Sequence, residues 1–231
     1  MTKILCFSSQ KGGVGKTTLT ALVATHLWAS GKKVMVLDCD DPQHSLHRQG
    51  HNDLDKLRKE PLLAQEFNSQ GLKPYEIAAS NVMQAVGLLR LLKESGTADY
   101  IFVDLPGTLN VAGVEGLSEL LDLLIVPFEM EAKVFASGVE TLTFHKRMNP
   151  SLPLAVVYNR VKKGESPVFM ESISDYLDKM NYAYRFKTIL YDRVFMKRDS
   201  STLFPSTEGM VESFMEEFAK LEEHLNETIK G

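Results

Sequence analysis

The stretch Ser9-Gln10-Lys11-Gly12-Gly13-Val14-Gly15-Lys16-Thr17-Thr18 stands directly between a short apolar run and a helical pattern. Glycines at such a junction let the backbone turn its N–H groups inward around an anion. Lys16 can reach terminal phosphates, and the Thr17 hydroxyl can complete the shell of a magnesium ion. The helix that follows adds its positive N-terminal end to the same place. The ordinary G-x-x-x-x-G-K-[ST] pattern is broken at its first glycine, where Gln10 stands, and a second lysine, Lys11, opens the run K-G-G-x-G-K-T. Six fixed positions of this kind arise by chance in a chain this long with a probability on the order of 10^-5. A phosphate-binding loop is therefore what the remaining sequence has to be arranged around.

With 231 residues, 44% of them hydrophobic, the chain can bury a large core, and residues 1–231 read as a single domain. Cys6 and Cys39 make neither a disulfide framework nor a C-x-x-C metal pair, which points to a reducing, cytoplasmic setting. The apolar run Ile4-Leu5-Cys6-Phe7 is too short for a signal segment or a membrane span, so no membrane attachment is expected. A net charge of −4 excludes a protein that coats nucleic acid through its overall field; any DNA contact has to come from a local patch.

Lys3 to Ser8 reads as a buried strand and Thr17 to Ser30 as a helix closed by Gly31. A second buried strand, Lys33 to Leu37, runs into Asp38-Cys39-Asp40-Asp41-Pro42-Gln43. The carboxyl end of a strand is the ligand edge of an open parallel sheet. Three carboxylates in four positions repel one another unless a cation lies nearby, and a magnesium-phosphate site beside them supplies one. A solvated acidic turn is the other account of that segment alone. His44, His47 and His51 follow at i, i+3 and i+7, a spacing that metal ligands can use, although on a polar stretch a solvated face is the expectation.

Pro74 to Ala78 reads as a third strand, and Asn81 to Ser95 as a helix with Val82, Val86, Leu89 and either Leu91 or Leu92 inward. Asp99 to Val103 is an apolar strand that ends on Asp104, where an acidic group can hold magnesium opposite the Thr17 hydroxyl. Leu123 to Pro127 and Leu154 to Arg160 continue the series, the second carrying Asn159, whose amide suits an adenine edge as well as it suits a simple turn. Tyr184 to Leu190 is the last strand. The final helix, Ser206 to Lys230, stripes Phe214, Phe218, Leu221 and Leu225 on one side and sets Glu216, Glu217, Glu222, Glu223 and Glu227 elsewhere. Regular alternation of this kind implies an α/β, doubly wound, mostly parallel sheet with helices on both faces, and the phosphate loop at its first turn makes that a P-loop NTPase.

On these motifs the chain resembles the deviant Walker A ATPases of the ParA/MinD superfamily, and among them the ParA/Soj-type partition ATPases. The resemblance is strongest at K-G-G-x-G-K-T and at Asp38-Cys39-Asp40, weaker beyond Asn159, and it departs from the D-x-D-P-Q pattern by the extra Asp41. It implies ATP and Mg2+ as cofactors, with Lys11, Gly12, Gly13, Val14, Gly15, Lys16, Thr17 and Thr18 around the phosphates. It further implies metal-holding roles for Thr17, Asp38 and Asp104, a water-positioning Asp40, adenine contacts from Asn159 and Pro205, and a Lys11 that acts across an ATP-bound homodimer. Such a switch would hydrolyse ATP, bind DNA without sequence preference, respond to a ParB-like stimulating partner and associate with the nucleoid. The DNA candidates are Lys162, Lys163, Arg185, Lys187, Arg193, Lys197 and Arg198. The alternatives are a MinD-like positioning ATPase and an ATP-dependent metabolic ligase that shares the loop. The acidic polar face of the last helix disfavours anionic lipid and favours core packing.

Overall fold

The computed structural model describes residues 2–162, 164, 167–192 and 201–230. Seven strands, β1 (Lys3–Phe7), β2 (Val34–Asp38), β3 (Glu76–Ala79), β4 (Tyr100–Asp104), β5 (Leu123–Phe128), β6 (Leu154–Val161) and β7 (Ala183–Tyr191), form one sheet. Their spatial order is β3-β2-β4-β1-β5-β6-β7, and every pairing is parallel. The sheet is thus parallel throughout the described strands, where the sequence led us to expect it only for the most part. Parallel strands need crossover helices, and these cover both faces. They are α1 (Lys16–Ala29), α2 (Ser45–Lys59), α3 (Pro61–Ser69), α4 (Val82–Ser95), α5 (Val114–Leu120), α6 (Ala132–Met148), α7 (Pro167–Met180) and α8 (Gly209–Lys230).

The strand period of two sorts each strand's side chains between two cores. Leu5 and Phe7 of β1 join α1 and α8 on one face, together with Phe102, Val157, Phe186, Phe214 and Phe218. Ile4 and Cys6 turn to the opposite face and pack with Leu89 of α4, Leu117 of α5, Leu142 of α6 and Leu177 of α7. The central strands are apolar on both sides because both sides are covered. On α4 it is Leu92, not Leu91, that packs inward; Leu91 is 65% exposed.

The apolar stripe of α8 is spent inside the molecule: Val211, Phe214 and Phe218 are fully buried against β7. Two of its glutamates do more than face solvent. Glu217 accepts hydrogen bonds from the backbone N–H groups of Lys187 and Thr188 and from the hydroxyls of Thr188 and Tyr184, which ties α8 to the edge strand. Glu222 pairs with Lys3 at 3.1 Å and accepts from the Tyr100 hydroxyl at 2.9 Å. Truncating a ring at such a place leaves a cavity as well as losing transfer energy. Phe218→Ala is expected to cost about 3–5 kcal/mol, while Leu91→Ala on an exposed helix face should stay within about 0.5 kcal/mol; urea unfolding of both variants checks this.

Candidate nucleotide-binding site

β1 ends at Phe7 and α1 begins at Lys16, so residues 8–15 make the whole turn between them. Gly13 (φ 82°) and Gly15 (φ 94°) sit in the left-handed region, which glycine enters without a side-chain penalty. At Gly15 there is no room either: an added Cβ would meet Asn159 Nδ2 at 2.4 Å. Asn159 is buried and donates from that nitrogen to the Val14 carbonyl at 2.8 Å, so the end of β6 props the loop from behind. Its Oδ1, also buried, has no hydrogen-bond partner among the described residues. From the other side Gly107 leans on the loop, where a Cβ would lie 3.1 Å from Gly12 N.

The two loop lysines have opposite surroundings. Lys16 is buried, and burial lowers its pKa while the Asp104 and Asp40 carboxylates beside it push the other way. Lys11 is 37% exposed and pairs with Glu131, at the head of α6, at 3.1 Å. Thr17 and Thr18 are half-buried in the first turn of α1.

β2 and β4 are neighbours, and their register sets Asp38 opposite Asp104, both fully buried. Their carboxylates differ in one respect. Asp38 Oδ1 accepts from the Asp40 backbone N–H at 3.2 Å and Oδ2 from that of His47 at 2.9 Å, so Asp38 binds the acidic turn to the first turn of α2. Among the described residues neither oxygen of Asp104 has a partner in hydrogen-bond geometry, although the Thr17 hydroxyl lies near. Burial raises the Asp104 pKa to about 7; the nearby Thr17 hydroxyl and Lys16 favour its ionised form, and Asp38 and Asp40 oppose it. Asp40 is half-buried with its pKa raised by burial, Lys16 counteracting. An orphaned carboxylate facing a threonine hydroxyl, with a second acidic group near, is a hard oxygen donor set that suits Mg2+. Thr17 and Asp104 would hold that ion; Asp38, with both oxygens already hydrogen-bonded, would act on its shell through the turn it shapes.

Sequence reasoning missed two participants. Arg160, next to Asn159, donates to the Gly13 carbonyl and pairs with Glu129 at 2.9 Å, a pairing visible only once β5 and β6 lie side by side. His145 of α6 is fully buried beneath the loop, its Nδ1 2.8 Å from Ser118 Oγ on α5 and its Nε2 3.4 Å from Ser8 Oγ. Burial lowers its pKa to about 4, so it is neutral near pH 7. Ser118 Oγ already donates to the Val114 carbonyl, which makes Nδ1 the protonated nitrogen. No local sequence signal announces this contact.

The 201–205 segment is held by α1 and α2: Thr202 bonds Asp53 of α2 through its N–H and its hydroxyl, and the Ser201 carbonyl accepts from Thr25 of α1. Leu203 is core there, and Pro205 is half-buried behind it. Of the proposed DNA set, Arg185 is spent on Asp178 at 3.1 Å, Lys162 and Lys187 are exposed, and Lys163, Arg193, Lys197 and Arg198 lie outside the described residues. His44 turns to the Asp38 carbonyl and to Asp41 rather than to the other histidines. No described helix is long and apolar enough to cross a membrane.

A parallel sheet whose first strand–helix turn is a phosphate loop, with acidic groups on the ends of the two next strands, defines a P-loop nucleotide-binding domain. Residues 5–203 match the CobQ/CobB/MinD/ParA nucleotide binding domain, and the chain belongs to that family. An ATP-binding protein of Methanocaldococcus jannaschii, of uncharacterized role, is 27% identical over 176 residues, which is 69% of this chain and 66% of that one. The chain spans between about half and two thirds of the length of the curated relatives it matches first. In fold it is similar to MinD of Aquifex aeolicus, solved in complex with MinC (TM-score 0.67, 22% identity, 91% of this chain and 93% of that one). It is also similar to a putative plasmid partition protein of Borrelia burgdorferi bound to AMPPNP (TM-score 0.66, 19% identity, 95% and 99%).

The Asp104 proton gives a test without nucleotide. A carboxyl whose folded pKa lies above its unfolded value contributes stability below the unfolded value and loses it as pH rises toward the folded one, here from about 4 to about 7. Asp104→Asn removes the penalty, so in metal-free buffer it should stabilise the protein more at pH 7.5 than at pH 5, by about 1–3 kcal/mol in urea unfolding.

Proposed function

We propose that this chain is an ATP-dependent, dimerising switch ATPase of the ParA type, which binds MgATP, joins a second copy and separates on hydrolysis to ADP and phosphate. The observation that carries the reading is the division between its two loop lysines. Lys16 is buried among the carboxylates of its own site, and Lys11 is only half-buried on the same loop, with an acidic partner it can exchange. An ammonium free to leave Glu131 suits a neighbour's phosphates, as an arginine finger acts in trans.

Each residue then has a task. The loop N–H groups and Lys16 hold the phosphates, and Asn159 Oδ1, without a partner among the described residues, accepts from the adenine amine. Mg2+ supplies charge neutralisation at the transferred phosphoryl group. Asp40, half-buried beside Lys16, orients the attacking water. Pro205 packs near the base, from the segment that α1 and α2 hold.

Sequence-independent DNA binding and a ParB-like stimulating partner follow as the cargo side of the same proposal, with Lys162 and Lys187 as its described basic residues and Lys163, Arg193, Lys197 and Arg198 beyond them. Such binding would be strongly salt-dependent. Membrane positioning by α8 is the weaker reading, because its apolar stripe is already buried against β7.

Sedimentation with MgATP decides. Wild type should dimerise with MgATP and not with MgADP. Lys16→Ala should lose nucleotide, and Lys11→Ala should bind it yet stay monomeric. Asp40→Ala should dimerise and turn over about 10²–10⁴-fold more slowly. An Asp40→Ala chain that stays single when saturated with MgATP would sink the proposal, and DNA retardation that ignores nucleotide would remove the partition role from it.

A further inference from the structure

The histidine triplet after the acidic turn splits in the folded chain. His44 is taken up by Asp38 and Asp41, whereas His47 and His51, one turn apart on α2, bring their Nε2 atoms to 3.2 Å from each other. The rings meet nearly edge to face, with centroids 4.5 Å apart and planes at 78°. Two nitrogens each about 2.0–2.1 Å from one ion, and 3.2 Å from each other, would subtend about 100–105° there, close to the tetrahedral angle. The pair opens on a recess of about 220 Å³ lined also by Gly50, Tyr75, Glu76 and Thr202, with room for further ligands.

We propose that His47 and His51 chelate a borderline transition-metal dication of the Zn2+ class, distinct from the Mg2+ beside the phosphate loop. Imidazole nitrogen selects Zn2+, Ni2+ or Cu2+ and is a poor donor for Mg2+. Among the described residues no group of three or more His, Cys, Asp or Glu side chains converges, so water or an external ligand completes the shell from the recess. The site is coupled to the acidic turn by covalent proximity: the His47 backbone N–H is the one that binds Asp38 Oδ2. A metal clamping one turn of α2 therefore stiffens the segment that holds Asp38.

Titration calorimetry with ZnCl2 on the full chain, in excess Mg2+ to occupy carboxylate sites, tests this. We expect one Zn2+ per chain, with affinity at least tenfold lower in His47→Gln and in His51→Gln and unchanged in His44→Gln. His51 is exposed, so its variant should fold as wild type does by circular dichroism. Zinc should raise the melting temperature of wild type and not that of His51→Gln. Binding that survives His51→Gln, binding lost in His44→Gln, or no saturable heat at all would overturn the proposal; the last result would leave the two rings sharing only an N–H···N bond.

Discussion

The site is governed by the burial of two carboxylates side by side with one ammonium. Parallel pairing of β2 with β4 puts Asp38 and Asp104 in register at the ligand edge, where neither touches solvent. Like charges so placed cannot both be left to themselves. The chain resolves this by giving Asp38 two backbone N–H donors and giving Asp104 none, so that the unsettled charge is concentrated on Asp104. Its raised proton affinity is the consequence, and a divalent ion in place of that proton is the natural remedy.

What could be read in the sequence is what repeats locally. The loop, the acidic turn and the strand ending in Asp104 are contiguous stretches, and their neighbourhood follows from the parallel topology that alternation implies. The central strands were legible because burial on both faces leaves an unbroken apolar run. α5 was not, being a seven-residue helix between a left-handed Gly113 and Leu121, too short to show a period. The role of Asp38 needed the register of α2 against the turn, and the split of the histidine triplet needed the position of His44 outside the helix proper.

The glutamates of α8 show the same limit from another direction. By sign alone they formed a solvated acidic face, and that reading remains good for Glu216, Glu223 and Glu227, which are exposed. Glu217 and Glu222 instead satisfy backbone and hydroxyl donors that an edge strand and the first strand would otherwise leave open. A carboxylate that accepts several N–H bonds prefers to stay ionised, and the pKa of Glu217 is indeed lowered by its hydrogen bonds, against the opposing effect of burial. Charge patterning reports where a side chain can sit, and pairing decides what it does there.

Two contacts tie the phosphate loop to what lies beyond it. Gly107 lies so near the loop that a Cβ on it would come within 3.1 Å of Gly12 N, and neutral His145 joins Ser8, at the base of the loop, to Ser118 on α5. Gln10 adds a third, its N–H donating to Thr141 Oγ1 on α6 at 3.3 Å. The turn after β4 leads into α5, so the loop reaches that helix by two routes that share no residue. A close-packed polar contact of this sort transmits displacement because its alternative is an unpartnered buried group, which costs about 1–3 kcal/mol. The loop thereby borders the groove between α5 and α6, where Gln10 stands with Val111, Glu140 and Phe144.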